Sequence, residues 1–109
     1  MIQKYAKLVR DNIPQIIRDQ GRVPTVRVLS ECEYVCALEK KLSEEMQEYL
    51  QERTPEELCD ILEVVEALAG ARGFTTEQIY TLKEEKKLRN GAFEQRFFLE
   101  EICTSEKEG

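Results

Sequence analysis

Glu44-Glu45-Met46-Gln47-Glu48-Tyr49-Leu50-Gln51-Glu52-Arg53-Thr54-Pro55-Glu56-Glu57-Leu58-Cys59-Asp60 holds the end of one helix, a short break and the start of the next. Thr54 and Pro55 mark the break. Threonine is a good N-cap, and proline is tolerated at the first helical position, where its missing N–H costs nothing. Glu57 lies three residues beyond Thr54 and completes a capping-box pattern. Glu45 and Glu48 are three apart, and so are Glu57 and Asp60; residues at that spacing share a helix face. If the two helices pack, four carboxylates converge. Such a group repels itself unless a cation holds it together. All-oxygen ligation suits a hard ion, Mg²⁺ or Mn²⁺. A Mg²⁺ site with open positions commonly serves a phosphate substrate.

Working outward, Ser30 opens the first of these helices, with Glu33 as the reciprocal acid of its capping box. The helix is predicted to reach about Glu52, with Val35, Leu38, Leu42, Met46 and Tyr49 as its apolar stripe. The second helix runs from Pro55 to a stop near Gly70–Gly73. Thr75 or Thr76 caps a third, which reaches about Asn90, with Gly91 just past its end. Upstream, Asp11 or Asn12 caps a short helix from Ile13 to about Gln20, and Gly21 ends it. Residues 4–12 read as a loop. Val23 to Leu29 alternates roughly and is expected as a short strand or extended segment. Phe93 to Ile102 is apolar-rich and expected to be extended. Residues 104–109 form a polar tail expected to fray. The whole is expected to be mainly all-α and a single domain over 1–109.

Composition agrees. The chain has 109 residues, 35% of them charged, with no Trp and three Pro; a mix rich in Glu, Lys, Leu and Ala with few breakers favours helix. The net charge of −6 argues against binding nucleic acid or an anionic membrane surface. With no His and no Cys-x-x-Cys pair, neither a zinc site nor a His-based triad is expected. Cys32 and Cys36 are four apart on a helix, the spacing of a metal or redox pair and equally of two buried small apolar side chains. The first residues are not signal-like, no apolar run is long enough to span a membrane, and free thiols suit the cytoplasm, the expected compartment.

A helix turns about 100° per residue, so the acids can be placed on faces. In the first long helix the apolar stripe centres near Leu42. Glu45 lies about 60° to one side, Glu48 is next out, and Glu44 is nearer solvent. In the second helix the arc of Leu58, Ile61, Val64, Val65 and Leu68 encloses Glu57, and Asp60 sits at its edge. An ionised carboxylate on a buried arc is costly unless paired or metal-bound, although a capping-box acid needs no metal. In the third helix Ile79 and Leu82 mark an inner face that Lys83, Lys86 and Asn90 continue. Such lysines either snorkel or pair with a buried acid, or they meet substrate phosphates.

The Glu-Glu-x-x-Glu and Glu-x-x-Asp pattern, followed by a Lys-rich helix, resembles the MazG-type all-α nucleoside triphosphate pyrophosphohydrolases, whose superfamily includes phosphoribosyl-ATP pyrophosphohydrolase. Lys7-Leu8-Val9-Arg10-Asp11-Asn12-Ile13-Pro14 and Lys86-Lys87-Leu88-Arg89-Asn90-Gly91-Ala92-Phe93 resemble the compact house-cleaning branch. The resemblance spans about residues 5 to 102. It implies a helical bundle that forms a homodimer or homotetramer, with the site near or across subunit contacts. It implies Glu45, Glu48, Glu57 and Asp60 as ligands for Mg²⁺ or Mn²⁺, with Glu44 in second place. Lys7, Arg10, Lys83 and Lys86 are the implied phosphate-binding residues. Branch members often end Arg-Gly-Gly-Phe where this chain has Asn90-Gly91-Ala92-Phe93, which leaves Arg89 as the substitute. The implied reaction takes a nucleoside triphosphate to its monophosphate and pyrophosphate, with Glu45 or Glu48 as general base because the edge of the stripe is open to water. Hydrolysis of phosphoribosyl-ATP and a non-enzymatic helical interaction module are the alternatives.

Overall fold

The fold is all-α. The computed structural model describes residues 1–104 and contains α1 (Ile13–Asp19), α2 (Glu31–Glu52), α3 (Pro55–Ala71) and α4 (Thr76–Asn90), with no strand among the described residues. Residues 23–29 and 93–102, expected as extended segments, pair with nothing as strands. A strand needs a partner for its backbone groups, and neither segment has one. Of the tail expected to fray, residues 105–109 lie outside the described residues.

The caps explain most of the boundaries. The Ser30 hydroxyl accepts from the Glu33 N–H at 3.2 Å, and the Glu33 carboxylate accepts from the Ser30 N–H at 3.1 Å. Thr75 and Gln78 make the same reciprocal pair at the start of α4. The capping box expected at Thr54 does not form: Thr54 occupies the N-cap position, but its side chain caps nothing. Asn12 likewise precedes α1 without a side-chain cap. Gly91 closes α4 at φ 85°. At the end of α2, Arg53 takes the left-handed conformation, φ 53°, where glycine is the usual choice because a Cβ is penalised.

The left-handed Arg53 and the N-cap Thr54 reverse the chain between α2 and α3, which pack along their length as an antiparallel hairpin. The far end is pinned where Arg72, just past α3, meets Glu39 on α2 at 3.3 Å. Leu38, Val64 and Ala69 are the buried apolar residues. α4 touches only α3, chiefly through Ile79 and through the Tyr80 hydroxyl, which donates to Glu66 at 2.8 Å. α1 packs on none of the other helices. Leu82, expected on an inner face, is exposed, as are Lys83, Lys86 and Asn90; α4 leaves the body after its first turn. Met46 and Leu58, expected in the apolar stripes, are about half exposed. All four cysteines are free thiols and exposed, so neither pairing nor burial holds at Cys32 and Cys36.

Because α3 runs back along α2, the hairpin has two outer sides. Stepping about 100° per residue from the contact line at Leu38 and Val64, one side carries Lys41, Glu44, Glu48, Asp60 and Glu63. The other carries Met46, Leu50, Leu58 and Leu62, all about half exposed. No helix of the described residues is long and apolar enough to cross a membrane.

Candidate metal centre

Glu45 lies in the last two turns of α2, and Glu57 and Asp60 lie in the first two turns of α3. The short link between the helices sets these turns side by side. One carboxylate oxygen from each of the three residues falls within 4.8 Å of the others. Glu45 is only 7% exposed, which corrects the expectation that it would stand at a water-accessible edge. Leu38, Leu42 and Tyr49 share its side of α2 and bring it to the seam. Glu57 and Asp60 are half-buried.

The buried acids are not satisfied from within the chain. Glu45 Oε2 and Glu57 Oε2 are both buried with no hydrogen-bond partner among the described residues. A buried carboxylate oxygen without a donor is expensive, and two of the three clustered acids carry one. Burial pushes the Glu45 carboxyl above its ordinary value near 4.5, the neighbouring Glu48 adds to the rise, and Lys41 opposes it. Glu57 is raised in the same direction, first by loss of solvent around its carboxyl and then by Asp60, Glu45, Glu52 and Glu56. The group favours protons for the same reason that it would favour a cation.

Glu48 lies outside the three-residue cluster; it is exposed, yet it sits near enough to perturb Glu45. It lines an open hollow of about 290 Å³ together with Lys7, Lys41, Glu44, Glu45 and Gln47. The N-terminal loop crosses the acidic side of the hairpin. Arg10 donates to Asp60 Oδ1 at 2.7 Å and stands 3.8 Å from Glu63. Lys41, one turn before Glu45, approaches it to 3.4 Å. The N-terminal motif implied both Lys7 and Arg10 as phosphate-binding residues; in the structure Arg10 meets the acids and Lys7 lines the hollow beside them. Lys83, Lys86 and Arg89 do neither: all three are exposed on α4, no ion pair links them to the cluster, and Lys83 lies 3.5 Å from Glu84. α4 follows the far end of α3, about ten residues or roughly 15 Å of helix from Asp60.

No protein-family model matches the chain, and no solved structure matches it. A 43-residue stretch is 56% identical to part of an uncharacterized protein from Mycolicibacterium smegmatis. That stretch covers 39% of this chain and 44% of the relative's length.

Lys41 is a neighbour of the candidate site that the sequence analysis does not single out. Its signal was present: a cation four residues before an acid on one helix is a standard pair, and here it falls on the turn before Glu45. The donor set suits a hard divalent cation, since it consists of carboxylates and includes two oxygens that nothing else satisfies.

Proposed function

We propose that this chain is a divalent-metal-dependent nucleotide pyrophosphohydrolase, which converts a nucleoside triphosphate and water to the monophosphate and pyrophosphate. The observation that carries this is that Glu45 and Glu57, each with a buried, partnerless carboxylate oxygen, cluster with Asp60. An open hollow and two basic residues of the N-terminal loop lie beside it.

Glu45, Glu57 and Asp60 would hold the ion, leaving Glu48, outside that group, free of it. When bound, Mg²⁺ supplies polarisation of phosphate oxygens and lowers the pKa of water. Glu48 is the general base, because it is exposed and can reach solvent. Arg10 holds Asp60 in the resting chain, and its guanidinium has the shape and charge to bind phosphate oxygens instead. Lys7, at the rim of the same hollow, offers a second positive charge. Both would offset negative charge growing on the departing pyrophosphate. Lys83, Lys86 and Arg89 would join the site only from another copy, in keeping with a homodimer or homotetramer and a cytoplasmic house-cleaning role toward noncanonical nucleotides.

The test is pyrophosphate release from a panel of standard, deoxy and damaged nucleoside triphosphates with Mg²⁺, Mn²⁺ or EDTA. Release from one substrate group, abolished by EDTA, is the expected result. Metal binding without release from any member points to phosphoribosyl-ATP or another substrate outside the panel. Neither release nor metal binding overturns the proposal and leaves the helical interaction module.

A further inference from the structure

Every residue from Tyr80 to Thr104 is exposed. That stretch is nearly a quarter of the chain, and it is not a polar tail. Leu88, Phe93, Phe97, Phe98, Leu99 and Ile102 are each between 74% and 97% exposed. α4 nevertheless continues to Asn90, properly capped at both ends. A free helix of about this length is marginal in water, and this one touches the body through little beyond its first turn. The chain as a whole has a radius of gyration of 20.4 Å, against about 13 Å for a compact domain of this length. It exposes 10252 Å², about 4,000 Å² more than a compact protein of its mass.

We propose that the outer part of α4 and the apolar arm behind it, residues 80–102, form the surface through which this chain clasps a second copy of itself. The area suffices. Three buried phenylalanines bring about 450–750 Å², of the roughly 800 Å² that each partner gives to a standard interface; Leu88, Leu99 and Ile102 bring the rest. A second copy is the occupant because the same chain offers a receiving surface. Met46, Leu50, Leu58 and Leu62 lie half exposed on the side of the hairpin away from the acids. A chain with both a projecting apolar arm and an apolar face is complementary to its own copy, and the exchange can close with twofold symmetry. Glu94, Glu100 and Glu101, interleaved in the arm, and the net charge of −6 oppose an anionic lipid surface.

The inference rests on the homo-oligomer expected above and not on hydrolysis. Light scattering of the full chain should give a multiple of 12.7 kDa for the wild type, and the monomer mass for F97D/F98D with its helical circular dichroism retained. A wild-type monomer overturns both the arm and the oligomer. A wild-type oligomer whose mass the double substitution leaves unchanged overturns the arm alone. To guard against a misfolded variant, a photo-crosslinking phenylalanine analogue at position 97 is placed in one of two differently tagged full chains. Adducts between the two tags support the clasp, and adducts confined to a single chain overturn it.

Discussion

At the scale of single residues, Glu57 has a position that leaves two duties open. Its spacing from Thr54 allowed a capping-box acid, and its place on the apolar arc of α3 allowed a ligand. The carboxyl caps nothing and has one oxygen buried without a donor. The sign of its titration gives a prediction. Glu45 and Glu57 both carry pKa values raised above 4.5 in the folded chain. A raised folded value means that the folded state holds its proton more tightly. The stabilisation is therefore full below pH 4.5 and is lost as pH climbs through the raised values. Metal-free protein should melt at a lower temperature at pH 7 than at pH 5. Glu57→Gln should reduce that loss, as followed by circular dichroism melting. Arg10 carries a second prediction. It competes with any cation for Asp60, so Arg10→Gln should tighten Mn²⁺ binding severalfold in calorimetry while lowering pyrophosphate release by tenfold or more. Unchanged affinity would show that the 2.7 Å contact does not gate the site.

At the scale of elements, three of the four helices announced themselves through caps: Ser30 with Glu33, Pro55 after Thr54, and Thr75 before Gly91. These signals are local, and so they are legible from neighbours in sequence. The expected Thr54 box failed because Glu57 was drawn to the seam of the hairpin, which is a tertiary contact. The inner face of α4 failed for a related reason: helical period shows that a face exists, but not whether anything within the same chain covers it. The caps are unequal in consequence. Ser30→Ala should cost about 1 kcal/mol and lower the melting temperature by about 4–8 °C, whereas Thr54→Ala loses no side-chain cap bond and should cost far less. Differential scanning calorimetry of the two variants checks the contrast. Glu33 behaves oppositely to Glu45. The Arg27 side chain 3.1 Å away, aided by Ser30, holds its carboxyl down to about 2. Its contribution is present above pH 4.5 and is lost as pH falls toward 2, a window that does not overlap that of the Glu45–Glu57–Asp60 group.

At the scale of the whole molecule, the hairpin has two chemically different sides. One side gathers acids, Lys41 and the N-terminal loop; the other is apolar and half exposed, and the outer part of α4 and the arm are uncovered as well. The acid spacing made the first side readable, because periods of three and four residues map directly onto a helix face. The arm was visible only as an apolar run from Phe93 to Ile102, and its exposure appeared only in three dimensions. The distance of Lys83 and Lys86 from the acids of their own chain also has a consequence. If they serve the site, they do so from a second copy. A mixture of inactive Glu57→Gln and inactive Lys83→Ala/Lys86→Ala chains should then recover part of the wild-type pyrophosphate release, with about a quarter as the ceiling for random pairing of dimers. No recovery, with mixed oligomers demonstrated, would confine α4 to a structural role.

If Glu45, Glu57 and Asp60 form one cation site, electron paramagnetic resonance of added Mn²⁺ will report it. Titrating Mn²⁺ into the wild type, Glu45→Gln and Glu57→Gln should show one tight ion per wild-type chain, displaced by excess Mg²⁺. Both variants should bind at least tenfold more weakly while keeping wild-type helicity. Equal Mn²⁺ binding by all three proteins, or none by the folded wild type, would contradict the account.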